Sequence, residues 1–277
     1  MFTSHSPPRT LPCSKGAWVC FLILLGCLFS PFTYSQLTPP GLEGAKVVDW
    51  TAVGFNQRLS KKWSTTIYVG GSSQGDPDRF SPFKKPAIFV LNQETLYAIQ
   101  AHWQVALCTS LRFQELYEDK APYSPREPSW RKEIRYYARF FYRPTTHNVT
   151  WLFSIRPEYR TFFSVNGDRW TVPVQWRLRM KAQVNIPLNS KKRNFFICAN
   201  EWLWATEKNG PTSWSGFQFT EDRFSTFFRH AVKKPNVFVD VGLMHQFWMD
   251  KARTLNYTTY LSLDLLFQNP FGHKNKS

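Results

Sequence analysis

The stretch VPVQWRLRMKAQVNI, residues 172–186, constrains the fold of this chain more than any other. Val172, Val174, Trp176, Leu178, Met180, Ala182, Val184 and Ile186 alternate with Gln175, Arg177, Arg179, Lys181, Gln183 and Asn185, with Pro173 as the one interruption. Successive strand side chains point to opposite faces, so this reads as one long β-strand with an apolar face and a basic face. Alternation does not say which face meets water, because a soluble sandwich and a membrane barrel both show it.

The pattern recurs along the chain. In 103–114, Trp103, Val105, Leu107, Thr109, Leu111 and Phe113 oppose Gln104, Ala106, Cys108, Ser110, Arg112 and Gln114. In 151–163, Trp151, Phe153, Ile155, Tyr159 and Phe163 oppose Ser154, Arg156, Glu158 and Arg160. Segments 133–143 and 257–267 behave similarly, and 48–58, 63–72, 87–98, 194–206, 217–232 and 237–248 are weaker strands. These are eleven strands, an odd number. If the short turns lie on the periplasmic side, one strand is missing near the poorly patterned 36–47, which predicts about 12 strands, within a range of 10–12. Pro157 falls in mid-strand on the apolar phase, where a closed barrel has no free edge to accommodate it without a bulge.

The first residues read as an export signal. Arg9 and Lys15 precede the apolar run AWVCFLILLGCLF (17–29), and small residues follow at Thr33 and Ser35, a pattern that predicts cleavage after Ser35. The run is too short for a membrane-spanning helix. Lipid attachment at Cys27 is the weaker alternative, because the residues after it are apolar. The domain plan is therefore a signal peptide over 1–35 and a single barrel domain over 36–277, with 268–277 a short polar tail. Losing Arg9 and Lys15 lowers the net charge from +16 to +14. Export argues against nucleic acid as the partner of so basic a chain. Cys108 and Cys198 are the cysteines left, too few for a disulfide scaffold and without metal-ligand spacing.

Short connections near 60–62, 99–102, 144–149, 188–193 and 233–236 alternate with longer ones at 73–86, 116–129, 164–170, 207–216 and 249–256. Turns on one side and loops on the other is the layout of an outer-membrane barrel. Trp63, Trp103, Trp151 and Phe195 each begin a strand just past a short turn, and are expected to form a lipid-facing girdle. A Lys or Arg facing lipid at mid-membrane costs about 2–4 kcal/mol, so turning Arg177, Arg179 and Lys181 outward would cost roughly 6–12 kcal/mol. In a membrane barrel the basic face therefore looks into the lumen. The expected fold is all-β, an antiparallel up-and-down transmembrane β-barrel.

Several segments support a resemblance to a known family. CANEWLWA (198–205), EDRFSTFF (221–228), VDVGLMHQF (239–247), YLSLDLLF (260–267) and the opening WTAVGFNQRLSKKWSTTIYV (50–69) resemble the DUF2490 family, bacterial outer-membrane barrels catalogued as a domain of unknown function. The resemblance covers nearly all of the chain after the signal. It implies an outer-membrane barrel in a Gram-negative envelope and brings no assigned active site. In such barrels the last strand often ends the chain on an aromatic residue, whereas here QNPFGHKNKS follows Phe267.

The expected lumen wall comprises Arg135, Arg139, Arg143, Arg156, Glu158, Arg160, Arg177, Arg179, Lys181, Glu201, Glu221 and Arg223, with Glu133 beside them. Its bland reading is a lumen closed by salt bridges, and its functional reading a small anion-preferring, porin-like pore. An enzyme is a third reading: His230 and His245 lie in strands near Ser225, Asp240 and Glu221, without a nucleophile motif. A secreted, lipocalin-like soluble binding protein is the rival from another class. No cofactor is expected. The expected partners are outer-membrane lipid, lipopolysaccharide and the barrel assembly machinery. YEDKAPYSPREPSW (117–130) is expected to stand outside the cell.

Overall fold

The computed structural model describes residues 42, 44–77, 79–210, 212–234, 236–249 and 254–272. The expected signal peptide, the cleavage point and the alternative lipidation site Cys27 lie outside the described residues, as does the end of the tail from His273.

Alternation of the kind seen in 172–186 builds every long element. The strands are β1 (Val47–Arg58), β2 (Trp63–Gln74), β3 (Lys85–Ala98), β4 (Trp103–Tyr117), β5 (Pro125–Tyr142), β6 (Thr145–Thr146), β7 (Val149–Ser164), β8 (Arg169–Pro187), β9 (Asn194–Glu207), β10 (Gln218–Val232), β11 (Val237–Met249) and β12 (Leu255–Gln268). Each long strand pairs with its sequence neighbour, β5 pairs with β7 past the two-residue β6, and β1 pairs with β12. The result is a closed, all-β barrel of eleven strands with one short extra strand in a turn.

Eleven strands fall within the expected range of 10–12, and the wholly antiparallel meander is corrected. The eleven patterned segments are the whole wall, and β1 begins at Val47 with no strand before it among the described residues. An odd number of up-and-down strands leaves the first and last running the same way, so the closing pair is parallel, from Val47↔Thr259 to Asn56↔Gln268. Parallel pairing is slightly weaker per residue, and side chains reinforce this seam. Phe55 stacks on Phe267 at 5.4 Å on one face, and Trp50 Nε1 donates to Asp264 Oδ1 at 3.0 Å on the other.

The strands run further than the sequence pattern showed, so the connections differ less than expected. Pro125–Trp130, expected in an outer loop, opens β5, and the expected long connection at 164–170 is the tight turn 165–168, with Gly167 at φ +92°. The connections at 75–84 and 208–217 remain long. Pro157 is accommodated without a bulge: the β5–β7 ladder runs Tyr137↔Glu158, carries no pair for Ala138 and Arg139 opposite Arg156 and Pro157, and resumes in the same register at Phe140↔Ile155. Proline has no N–H to give a ladder.

Candidate functional site

The two phases of each strand have opposite fates. On β8, Gln175, Arg177, Arg179, Lys181, Gln183 and Asn185 are buried, while Trp176 is 47% exposed and Met180 39%. Along the other strands Phe55, Ile67, Leu91, Leu107, Phe140, Phe153, Phe228, Val241 and Leu263 are likewise exposed. Burial normally favours the apolar set. This wall is inverted, with charge on its buried face and hydrocarbon on its exposed one.

On the buried face the charged side chains meet in pairs and triplets. Glu133 takes a bidentate contact from Arg160, Nε to Oε1 at 2.6 Å and Nη2 to Oε2 at 2.9 Å, and a further one from Arg135 at 2.7 Å. Arg112 closes the group at 4.0 Å. Glu158 holds Arg156 at 2.6 Å and Arg179 at 2.8 Å, and Arg179 reaches on to Glu201 at 3.3 Å. Arg223 joins Glu201 to Glu221, and Arg177 of β8 reaches past β9 to Glu221 at 3.4 Å. Arg139 of β5 likewise reaches past β4 to Glu94 at 3.4 Å. Arg229 grips both oxygens of Asp240. Glu133, Glu158, Glu201 and Glu221 each hold guanidinium groups from more than one strand and tie them together, as planar bidentate contacts do best.

All twelve wall residues singled out in the sequence share this buried phase, with Arg139 and Arg156 at its less covered edge. Arg143 follows the end of β5, with its guanidinium 4.8 Å from the Phe141 ring. Lys181 lies within electrostatic reach of Glu201 and Arg139. The sequence reading missed Glu94, Arg229, Asp240 and Asp264, and left Arg112 out of the wall. Counting in twos from Glu221 and Arg223 would have reached Arg229.

A second part of the buried face is apolar. Val48, Trp50, Ala52, Ala87, Ile88, Val90, Met244 and Tyr260, from β1, β3, β11 and β12, pack with Leu42 and Ala45 ahead of β1. Gly70 on β2 leaves room for this cluster, since a Cβ there would overlap the Trp50 ring. Leu42 N donates to Gln246 Oε1 at 3.1 Å, while Thr258 Oγ1 donates to the Ala45 carbonyl at 2.8 Å and reaches that of Leu42. Gln246 passes the connection to Glu221, so the segment entering β1 is tied to the charged network.

The four residues expected in an aromatic girdle divide by exposure. Trp63, Trp103 and Trp151 are all exposed, and Trp63–Tyr97 and Trp103–Tyr142 are ring pairs at 4.7 Å. Phe195 is corrected: it shares the phase of buried Ile197 and Ala199, and Phe196 is the exposed ring at that level. The doublet Phe195-Phe196 hides this, because one residue of register reverses the face. The candidate triad is not assembled. His230 and His245 lie on the exposed phase, bonded to Asn194 and Thr259, whereas Ser225, Asp240 and Glu221 are buried. Among the described residues no group of His, Cys, Asp and Glu could hold a metal ion.

No curated protein matches the chain significantly. The family described as "Protein of unknown function (DUF2490)" matches residues 49–257, from early β1 to the first turn of pairing in β12. With three quarters of the chain matched, this barrel belongs to the DUF2490 family.

Proposed function

We propose that the protein is an outer-membrane β-barrel whose lumen is closed by its own Arg/Glu network, a structural barrel and not a constitutively open pore. The inverted wall carries this reading. Contiguous exposed apolar surface wrapped around a barrel calls for a non-aqueous surrounding. The buried guanidinium groups would each cost about 2–4 kcal/mol if turned to lipid. With short turns in the periplasm and loops outside, Trp63, Trp103 and Trp151 sit at the inner interface. The barrel assembly machinery would insert the chain, and lipopolysaccharide would surround its loop end. The burial of the network supports closure: Glu133, Glu158, Arg160, Arg179 and Arg223 each expose 4% or less of their surface.

A small anion-preferring pore is the second reading. It is favoured by the balance of charge: among the described residues, nine buried cations meet seven buried carboxylates. Rings of Arg and Lys set anion preference.

The test is gel migration of the outer-membrane fraction, boiled and unboiled, followed by planar-bilayer conductance of the purified protein. A heat-dependent shift with no steady conductance is the expected result. Conductance with reversal potentials set by anions would establish the pore instead. Recovery in soluble form without a shift would overturn the membrane reading.

A further inference from the structure

We infer that the exposed wall at Pro157 is a binding site for a single hydroxyl-bearing acyl chain of a membrane lipid, an inference that rests on the membrane reading above.

The site follows from the register. Side chains of one phase line up in rows across the strands. One row runs Gln93, Thr109, Tyr136, Tyr159, Trp176, and another runs Val105, Phe140, Ile155, Met180. Both are built largely of big residues. The row between them runs Thr95, Leu107, Ala138, Pro157, Leu178, with Pro157 paired to Leu178 on β8 and without a ladder pair only toward β5. Within that row Ala138 and Pro157 lie low between Leu107 and Leu178, and a trough of about 500 Å³ opens there beside Tyr136, Tyr159 and Trp176. Rows four residues apart along a strand are about 13 Å apart centre to centre. Such a trough takes one extended chain.

Depth and chemistry select the occupant. Ala138 lies four residues from the turn end of β5 at Tyr142, about 13 Å along the strand and roughly 10 Å in depth for a strand tilted near 40°. That falls well inside an apolar band about 25 Å tall, where the available ligand is hydrocarbon. One end of the trough is nevertheless polar. Gln93 Nε2 donates to Thr95 Oγ1 at 2.6 Å and to Thr65 Oγ1 at 3.2 Å, and Thr109 stands opposite Gln93. At the other end the ladder breaks at a residue with no N–H. Backbone groups in hydrocarbon require partners, and a hydroxyl on the chain can supply the donor that Pro157 cannot.

The experiment uses the full mature barrel in vesicles of phosphatidylethanolamine and phosphatidylglycerol. These are doped with a diazirine phospholipid probe whose acyl chain either carries or lacks a hydroxyl group. Photo-crosslinks are mapped by peptide mass spectrometry for the wild type, Ala138→Phe, which fills the trough, and Pro157→Ala, which restores a ladder donor. Crosslinks should concentrate on 93–109, 136–159 and Trp176, fall at least fivefold in Ala138→Phe, and lose their preference for the hydroxylated probe in Pro157→Ala. Crosslinks spread evenly around a folded, heat-modifiable barrel and unchanged by Ala138→Phe would overturn the site and leave the membrane reading standing. A barrel that takes no crosslink anywhere overturns both.

Discussion

A single hydrogen at residue 70 decides whether Trp50 can lie inside the wall. The indole crosses onto β2 where Gly70 has no Cβ, so Gly70→Ala forces the ring away from Asp264 and loosens the apolar cluster. Overpacking of this kind costs about 1–3 kcal/mol. The barrel-to-unfolded midpoint in urea should fall accordingly, and Trp50→Ala in the same chain should remove most of the additional loss, as contact pairs do in double-mutant cycles. Glu133 is the charged counterpart. It neutralises Arg112, Arg135 and Arg160 together, so Glu133→Leu strands buried cations and should cost about 3–5 kcal/mol, read in the same unfolding assay. Glu133→Gln, which keeps the shape and an acceptor oxygen, should cost less. At this scale the twelve wall residues were legible because Arg and Glu stand at even spacing in strongly alternating strands. Asp240 and Asp264 were not, since their strands also bury Met244, Tyr260 and Leu266, and a mixed face hides its parity.

At the scale of elements, the seam between β1 and β12 is the feature that reading along the chain could not supply. Thr51 and Leu263 are direct partners in the parallel register. Cysteines placed at both, in a chain whose Cys108 and Cys198 are serine, should form an intramolecular disulfide under mild oxidation, because parallel neighbours fall within the required Cα separation. Failure to crosslink in the folded barrel would mean that another strand closes the wall. The β2–β3 loop holds a pH-sensitive tie. Asp76 binds Lys84 and Lys85, and the Lys84 hydrogen bond chiefly holds its carboxyl below the ordinary range. The folded loop therefore binds the proton less tightly than the unfolded one. Its tie is in force above the usual carboxylate pKa of about 4 and is lost as pH falls below it. Protease nicking within 75–84 should rise as pH falls through that window, and Asp76→Asn should make the nicking independent of pH.

For the whole molecule the decisive quantity is the sign of the solvent outside. Val241 is 53% exposed in the middle of β11, with no charged side chain opposite it on the exposed phase. In a membrane, Val241→Arg should cost about 2–4 kcal/mol and sharply lower the yield of heat-modifiable barrel in the outer-membrane fraction. In a water-soluble barrel the same change would be neutral or would improve solubility, so equal yields of variant and wild type would count against the membrane. The eleven patterned segments and the polarity of each strand's two faces came from local spacing, because side-chain direction in a strand is dictated by its own backbone, whereas the strand ends ran past that pattern. The closing pair, the split of the buried face into a charged network and a Trp50 cluster, the break at Pro157 and the placement of Phe195 came from the tertiary structure alone. Each depends on which residue of a distant strand stands opposite, and the register that settles this is set by closure of the sheet, not by any stretch of sequence read singly.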